Sequence, residues 1–163
     1  MNLSNFLSRS VKEFVWQPLN LGIGCLLAVS TLSVLPTKVY AHEVEVSGDV
    51  GGLIHLEPND NPVAGKPTQV WIALTKRGGE IIPLEQCDCI LEVRTKPFRL
   101  SSVPIFPTLK PTSAERYRGI PGAEVIFPHI GRYELQLSGK PKAGADFSPF
   151  VLNFEVTVAT GRG

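Results

Sequence analysis

FVLNFEVTV, residues 150–158, is the stretch on which the fold turns. Phe150, Leu152, Phe154, Val156 and Val158 fall on one side of an extended chain, while Asn153, Glu155 and Thr157 fall on the other. Side chains alternate across a strand with a period of two, so this pattern gives one face to a core and the other to water.

The reading extends backward along the chain. RYELQLSG (132–139) turns Tyr133, Leu135 and Leu137 inward, and AEVIFP (123–128) and CILEV (89–93) alternate in the same way. TQVWIALT (68–75) is apolar on both faces, which suits a central strand. KRGG (76–79) supplies a tight turn and SGKPKAG (138–144) a looser one. From His42 onward Gly and Pro recur every few residues, and no stretch holds apolar positions at helical spacing for three turns. These features predict an all-β fold, an immunoglobulin-like antiparallel β-sandwich of about seven strands.

Two segments refine that expectation. KPFRLSSVPIFPTLKPTS (96–113) reads as a long connection crossing between the sheets, its prolines excluding a central strand. In FPHIGRYELQL (127–137) a turn containing Gly131 leads into a strand that begins near Tyr133. Two readings stand open: a tyrosine corner, with the phenol bonded back to the turn, or an ordinary core tyrosine.

The front of the chain is different in kind. Arg9, Lys12 and Glu13 precede an uncharged apolar run from Leu19 to Leu35, and no charge follows until Lys38. The run is longer than a secretory core of about 7–15 residues and shorter than a membrane span of about 20. Pro36 ends it, and Val39 and Ala41 offer small side chains before a cleavage point. Residues 1–41 are therefore expected to be a signal peptide cut after Ala41, with an uncleaved membrane anchor as the alternative, and residues 42–163 to be the sandwich domain. Cys25 sits too early in the run to be a lipoprotein cysteine. Either outcome places the domain outside the cytoplasm, because the basic residues hold the N-terminal end inside. That compartment is a periplasm, a thylakoid lumen or the exterior.

The leader holds three of the 16 Lys and Arg and one of the 15 Asp and Glu, which leaves 13 basic against 14 acidic residues. A near-neutral domain with no basic block lacks the electrostatic footprint for nucleic acid or anionic lipid. Membrane contact would come only through the N-terminal segment.

Three histidines follow the leader: His42, His55 and His129. A mature chain beginning at His42 would offer copper(II) its α-amine and ring Nδ1, with a second imidazole from His55 or His129 completing a T-shaped nitrogen set. In GGLIHLEP (51–58) His55 has opposite parity to Ile54 and Leu56, so it projects outward if they face the core. The end of the first strand and the turn before the sixth share a pole in this topology, which places His55 and His129 at one end. His42 joins them only if SGDVGG (47–52) folds the chain back. The bland reading of all three is surface histidine.

Cys87 and Cys89, in EQCDCILEV (85–93), are the two cysteines left after the leader. Cysteines ordinarily pair in an oxidising compartment. On an extended strand, however, positions i and i+2 stand about 6.5–7 Å apart at Cα, at the limit for a disulfide. A local bridge would need a turn at Cys87 and would be strained and reducible. A Cu(I) or redox pair and two plain thiols, Cys89 packing with Leu91 and Val93, remain beside it.

Nothing supports catalysis: there is no nucleophile elbow, no His-x-x-x-His pair and no glycine loop between strand and helix. PNDN (58–61) reads as a turn, not a calcium loop.

This layout, with an initial strand carrying His55, PVAGKPTQVWIALT (62–75) leading into a second strand and HIGRYELQL (129–137) near the end, resembles the small exported domains of the YtkA-like and CopC-like kind. The resemblance spans residues 42–159 and implies an immunoglobulin-like domain; in the CopC-like group a mature N-terminal histidine ligates copper, which carries over to His42 alone. This chain has HEV where that group has His-x-His, and it adds Cys-Asp-Cys. VSGDVGGLIHLEP (46–58) is also similar to uncharacterised exported proteins of photosynthetic bacteria. The expected function is a non-enzymatic exported binding or accessory domain for a protein partner or metal ion. The alternative is a copper-handling protein using His42 with His55 or His129, or the Cys87 and Cys89 pair.

Overall fold

The alternation in residues 150–158 forms an edge strand whose five inward-facing apolar side chains are all buried, while Val151 faces out. The computed structural model describes residues 44–98 and 102–161. In chain order the strands are β1 (Val44–Ser47), β2 (Val50–Glu57), β3 (Pro67–Lys76), β4 (Cys87–Lys96), β5 (Lys110–Ala114), β6 (Tyr117–Ile126), β7 (Gly131–Pro141) and β8 (Phe150–Val158). A 3-10 turn, Leu84–Gln86, feeds β4.

Two antiparallel sheets result, ordered β1-β2-β3-β6-β5 and β4-β7-β8. Strands β2 to β8 thus divide four and three, as the constant-type immunoglobulin sandwich does. The strand beyond the expected seven is β1, which the Gly48–Asp49 turn folds back along β2 with Val44 opposite Leu53. The Asp49 carboxylate accepts the Ser148 N–H at 3.1 Å, which ties this turn to the β7–β8 connection and holds Asp49 below the ordinary range.

The inner faces interdigitate to form the core. Ile54 and Leu56 of β2, Val70, Ile72 and Leu74 of β3, Leu91 and Val93 of β4, and Tyr133, Leu135 and Leu137 of β7 pack with the inward row of β8. β3, paired on its edges with β2 and β6, is apolar on both faces because each face packs into its own cluster. On its outer side a second, smaller cluster gathers Trp71, Ala73, Tyr117 and Ile120, with Leu53, Ile81 and Ala114 against it.

The proline-rich connection crosses between the sheets as expected. Ile105 first pairs with Val93 on the edge of one sheet, and the chain then reaches β6 of the other as β5. β5 begins inside the segment read as connection, and Pro111 is tolerated because β5 is an edge strand.

Candidate functional site

Two loci hold the candidate side chains, and the strand register sets them at opposite ends of the sandwich. Cys87 lies opposite Pro141 where β7 ends, whereas Lys96 lies opposite Arg132 where β7 begins, just after His129. The β2–β3 loop joins the His129 end: Gly65 N–H donates to the Phe127 carbonyl at 2.8 Å, and Ala64 N–H to the Ala159 carbonyl at 3.0 Å.

At that pole Tyr133 forms a tyrosine corner. Its hydroxyl donates to the His129 carbonyl oxygen at 2.9 Å and accepts the His129 N–H at 3.2 Å, while its ring meets Phe127 edge-on at 5.0 Å. The turn is thereby fixed from below, and the side chains of His129 and Ile130 are left exposed.

His55 projects from the outer face of β2, as its parity with buried Ile54 and Leu56 requires. Its ring packs on its cross-strand partner Trp71, centroids 4.7 Å apart, and Nδ1 lies 3.3 Å from Oδ1 of Asp60. Asp60 sits in the tight turn after β2 with a positive φ, and its Oδ1 also accepts the Leu56 N–H at 2.7 Å. Trp71 Nε1 donates to Glu57 at 3.4 Å, and Tyr117 stacks beyond Trp71 under the Arg116 guanidinium.

The Glu57, Asp60, Trp71, Tyr117 and Arg116 setting of His55 escaped the sequence reading. The available signal was Trp71, whose parity opposes Val70 and Ile72 and so places a large aromatic beside His55 on the outward face. His42 lies outside the described residues. Among the described residues no group of three or more His, Cys, Asp and Glu side chains is placed to hold a metal ion.

At the other pole Cys87 and Cys89 are joined by a disulfide, with Cα atoms 5.3 Å apart. Cys87 itself is extended, at φ −114° and ψ 132°, so the bridge does not require a turn there. The shortening relative to the ~6.5–7 Å of an extended pair is taken up between the two cysteines, where Asp88 still pairs with Lys140 across the ladder at 3.3 Å. Cys87 is 1 % exposed and Cys89 half-buried. Gly139 lies opposite Cys89, and a Cβ there would stand 2.7 Å from Cys87 Sγ. The glycine makes room for the bridge.

No protein-family model matches the chain, and no curated protein matches it. Solved structures do. FetP of uropathogenic Escherichia coli, recombinantly expressed in the periplasm, is similar at 15% identity and a TM-score of 0.52, over 76% of this chain and 96% of that one. A copper-bound variant of FetP is similar at 13% identity and a TM-score of 0.53, over 74% and 96%. At these identities the likeness establishes a shared β-sandwich fold, and the layout resemblance read from the sequence holds at that level.

Proposed function

We propose that this protein is a non-enzymatic binding module acting outside the cytoplasm, with the pole around His129 as its contact surface. The observation that carries the reading is the doubly bonded turn. Tyr133 fixes the His129 backbone on both its N–H and its C=O. Loops at the ends of a rigid sandwich are where such folds present contacts, and a fixed loop loses less entropy on binding than a mobile one. Ile130, at 60 % exposure, gives that loop an apolar component. The export reading of residues 1–41 supplies the compartment.

Photo-crosslinking in the producing cell tests this. A benzoylphenylalanine at Ile130 is expected to give a discrete adduct, and one at Asn153, on the polar outer face of β8, is expected to give none. Absence of an adduct at Ile130, or equal adducts at both positions, removes the reading.

A second reading, copper binding, is favoured by the setting of His55. An imidazole whose Nδ1 faces a carboxylate, as here with Asp60, is oriented to ligate through its other nitrogen. Imidazole nitrogen suits copper(II), His129 shares the pole, and the FetP variant of the same fold is copper-bound. β1 also runs antiparallel to β2, with Val44 opposite Leu53, which is two positions before His55. The disulfide leaves no thiolate for Cu(I) until it is reduced. Copper(II) titration of the exported chain, followed by electron spin resonance, is expected to show nitrogen ligation that His55→Ala weakens. A mature start anywhere but His42, or no tight site, excludes the amine-based site.

A further inference from the structure

β5 accompanies β6 for only part of its length. Ala114 stands opposite Tyr117 and Thr112 opposite Ile120, but β5 begins only at Lys110, opposite Gly122, so β6 continues through Ala123–Ile126 beyond it. Those four residues pair with β3 on one side and with no strand on the other among the described residues. Successive residues of an antiparallel strand direct their N–H and C=O to alternate sides. Two of the four therefore aim backbone donors and acceptors at the side that β5 does not cover. The cause lies in the chain path, since Ile105 is still bonded to Val93 of the other sheet and the connection meets β6 only at Lys110.

A cleft of about 410 Å³ borders this stretch, running from Gln69 of β3 over Gly122, Ala123 and Glu124 of β6 to Thr108 and to Lys110 at the start of β5. A Cβ on Gly122 would fall 2.1 Å from Thr112 Oγ1, so the glycine lets Thr112 lie across β6 and close one end. The walls are polar side chains: Gln69, Thr108, Lys110, Thr112 and Glu124. Gln69 reaches Glu124 at only 3.4 Å, and neither Lys110 nor Glu124 has an ion-pair partner among the described residues. Glu124 is two positions from the partner of Lys110, a spacing of about 7 Å along a strand.

The lining fits few ligand classes. It lacks the apolar walls that a hydrophobic small molecule needs. A single carboxylate is too sparse for a hard cation, which gathers about six or more oxygens. A lone anion would satisfy Lys110 and leave Glu124 and the strand edge unused. An extended peptide uses all three, because strand addition supplies main-chain hydrogen bonds while side pockets read charge.

We propose that the cleft binds the C-terminal end of an extended peptide as an added strand beside Ala123–Ile126, its carboxylate on Lys110 and a cationic side chain on Glu124. Neither residue belongs to the His129 turn, so this site and the pole reading fail separately.

The test is amide NMR of the ¹⁵N-labelled full chain with the tripeptide Ac-Val-Lys-Val, its C-terminal amide, and acetate. The free-acid peptide is expected to shift Thr108, Lys110, Ala123 and Glu124 and to slow hydrogen exchange at the open-side amides of β6. Amidation, Lys110→Met and Glu124→Gln are each expected to weaken binding about tenfold, the scale of one charge-assisted hydrogen bond, while Lys140→Met changes nothing and melting temperatures stay put. The proposal is overturned by no shift at these residues up to about 10 mM peptide, too weak for a specific site. Equal shifts from acetate alone, which mark an adventitious anion at Lys110, overturn it as well. So does peptide binding without slowed exchange in β6.

Discussion

Tyr133 is bonded twice to His129, its hydroxyl donating to one backbone group at 2.9 Å and accepting from the other at 3.2 Å. Tyr133→Phe keeps the ring and its contact with Phe127 but leaves both His129 backbone groups without that partner. A hydrogen bond of this part-buried kind contributes about 0.5–1.5 kcal/mol at net, and urea unfolding should register a loss of that order. Amide hydrogen exchange at His129 should quicken at the same time. An unchanged midpoint would mean that water replaces the phenol without penalty and that the turn is not held by it.

Gly139 marks a second point where one atom matters. A Cβ there would stand 2.7 Å from Cys87 Sγ and 2.6 Å from Phe150 Cζ, so Gly139→Ala overpacks the disulfide end of the core. Such overpacking costs about 1–3 kcal/mol. Phe150→Leu deletes the ring atoms in conflict, so the double variant should lose less than the sum of the two singles, since contacting residues couple. Strict additivity would show that the strand shifts freely and that the close approach is unimportant.

The strand pattern was legible in sequence because half-buried strands have a strict period. Phe150 to Val158 and Tyr133 to Leu137 read correctly, and the two-faced TQVWIALT landed as β3 between two partners. β1 and β5 were not legible for a physical reason. β1 is four residues whose valines are exposed, and β5 carries Pro111 on an edge, so neither has a buried row to reveal it. That the β2–β3 loop meets the turn after β6 followed from topology, but the stacking of His55 on Trp71 depends on which cross-strand residue lies opposite, and register is a tertiary property. The disulfide depended on a local contraction at Asp88 that spacing alone does not foresee.

On the outer face of β4, β7 and β8, Lys96 is bonded to Glu155 and lies 3.4 Å from Glu134. The hydrogen bond and charge of Lys96 hold Glu155 below its ordinary value of 4.5, and Glu155 in turn raises Lys96 above 10.5. A depressed carboxylate contributes stability above its unfolded value and loses it as pH falls through the folded one. Its effect therefore appears below about pH 4.5. The raised Lys96 contributes below 10.5 and loses its contribution as pH rises through the higher folded value. Melting temperature against pH should fall less steeply in acid for Glu155→Gln than for the parent. The difference should shrink in high salt, because these groups are solvent-exposed and screened. Parallel acid limbs would remove Glu155 as a source of acid sensitivity.

Trp71 organises a packing unit separate from the main core, since its cluster with Ala73, Tyr117 and Ile120 lies on the outer side of β3. The ring is 2 % exposed, closed in by His55 at 4.7 Å and Tyr117 at 6.0 Å. β5 is the sheet edge, and Ala114, which packs against this cluster, lies opposite Tyr117. Loss of the cluster should therefore loosen the β5–β6 hairpin before it loosens β4, β7 and β8, whose side chains belong to the other core. Trp71→Leu keeps an apolar residue and leaves a cavity, and large-to-small core changes cost about 2–5 kcal/mol. Native-state hydrogen exchange should show the amides of Thr112 and Ala114 losing more protection than those of Leu135 and Leu137, as expected when a region opens locally. Equal loss at all four would mean that the two clusters unfold as one unit and that Trp71 secures the whole sandwich.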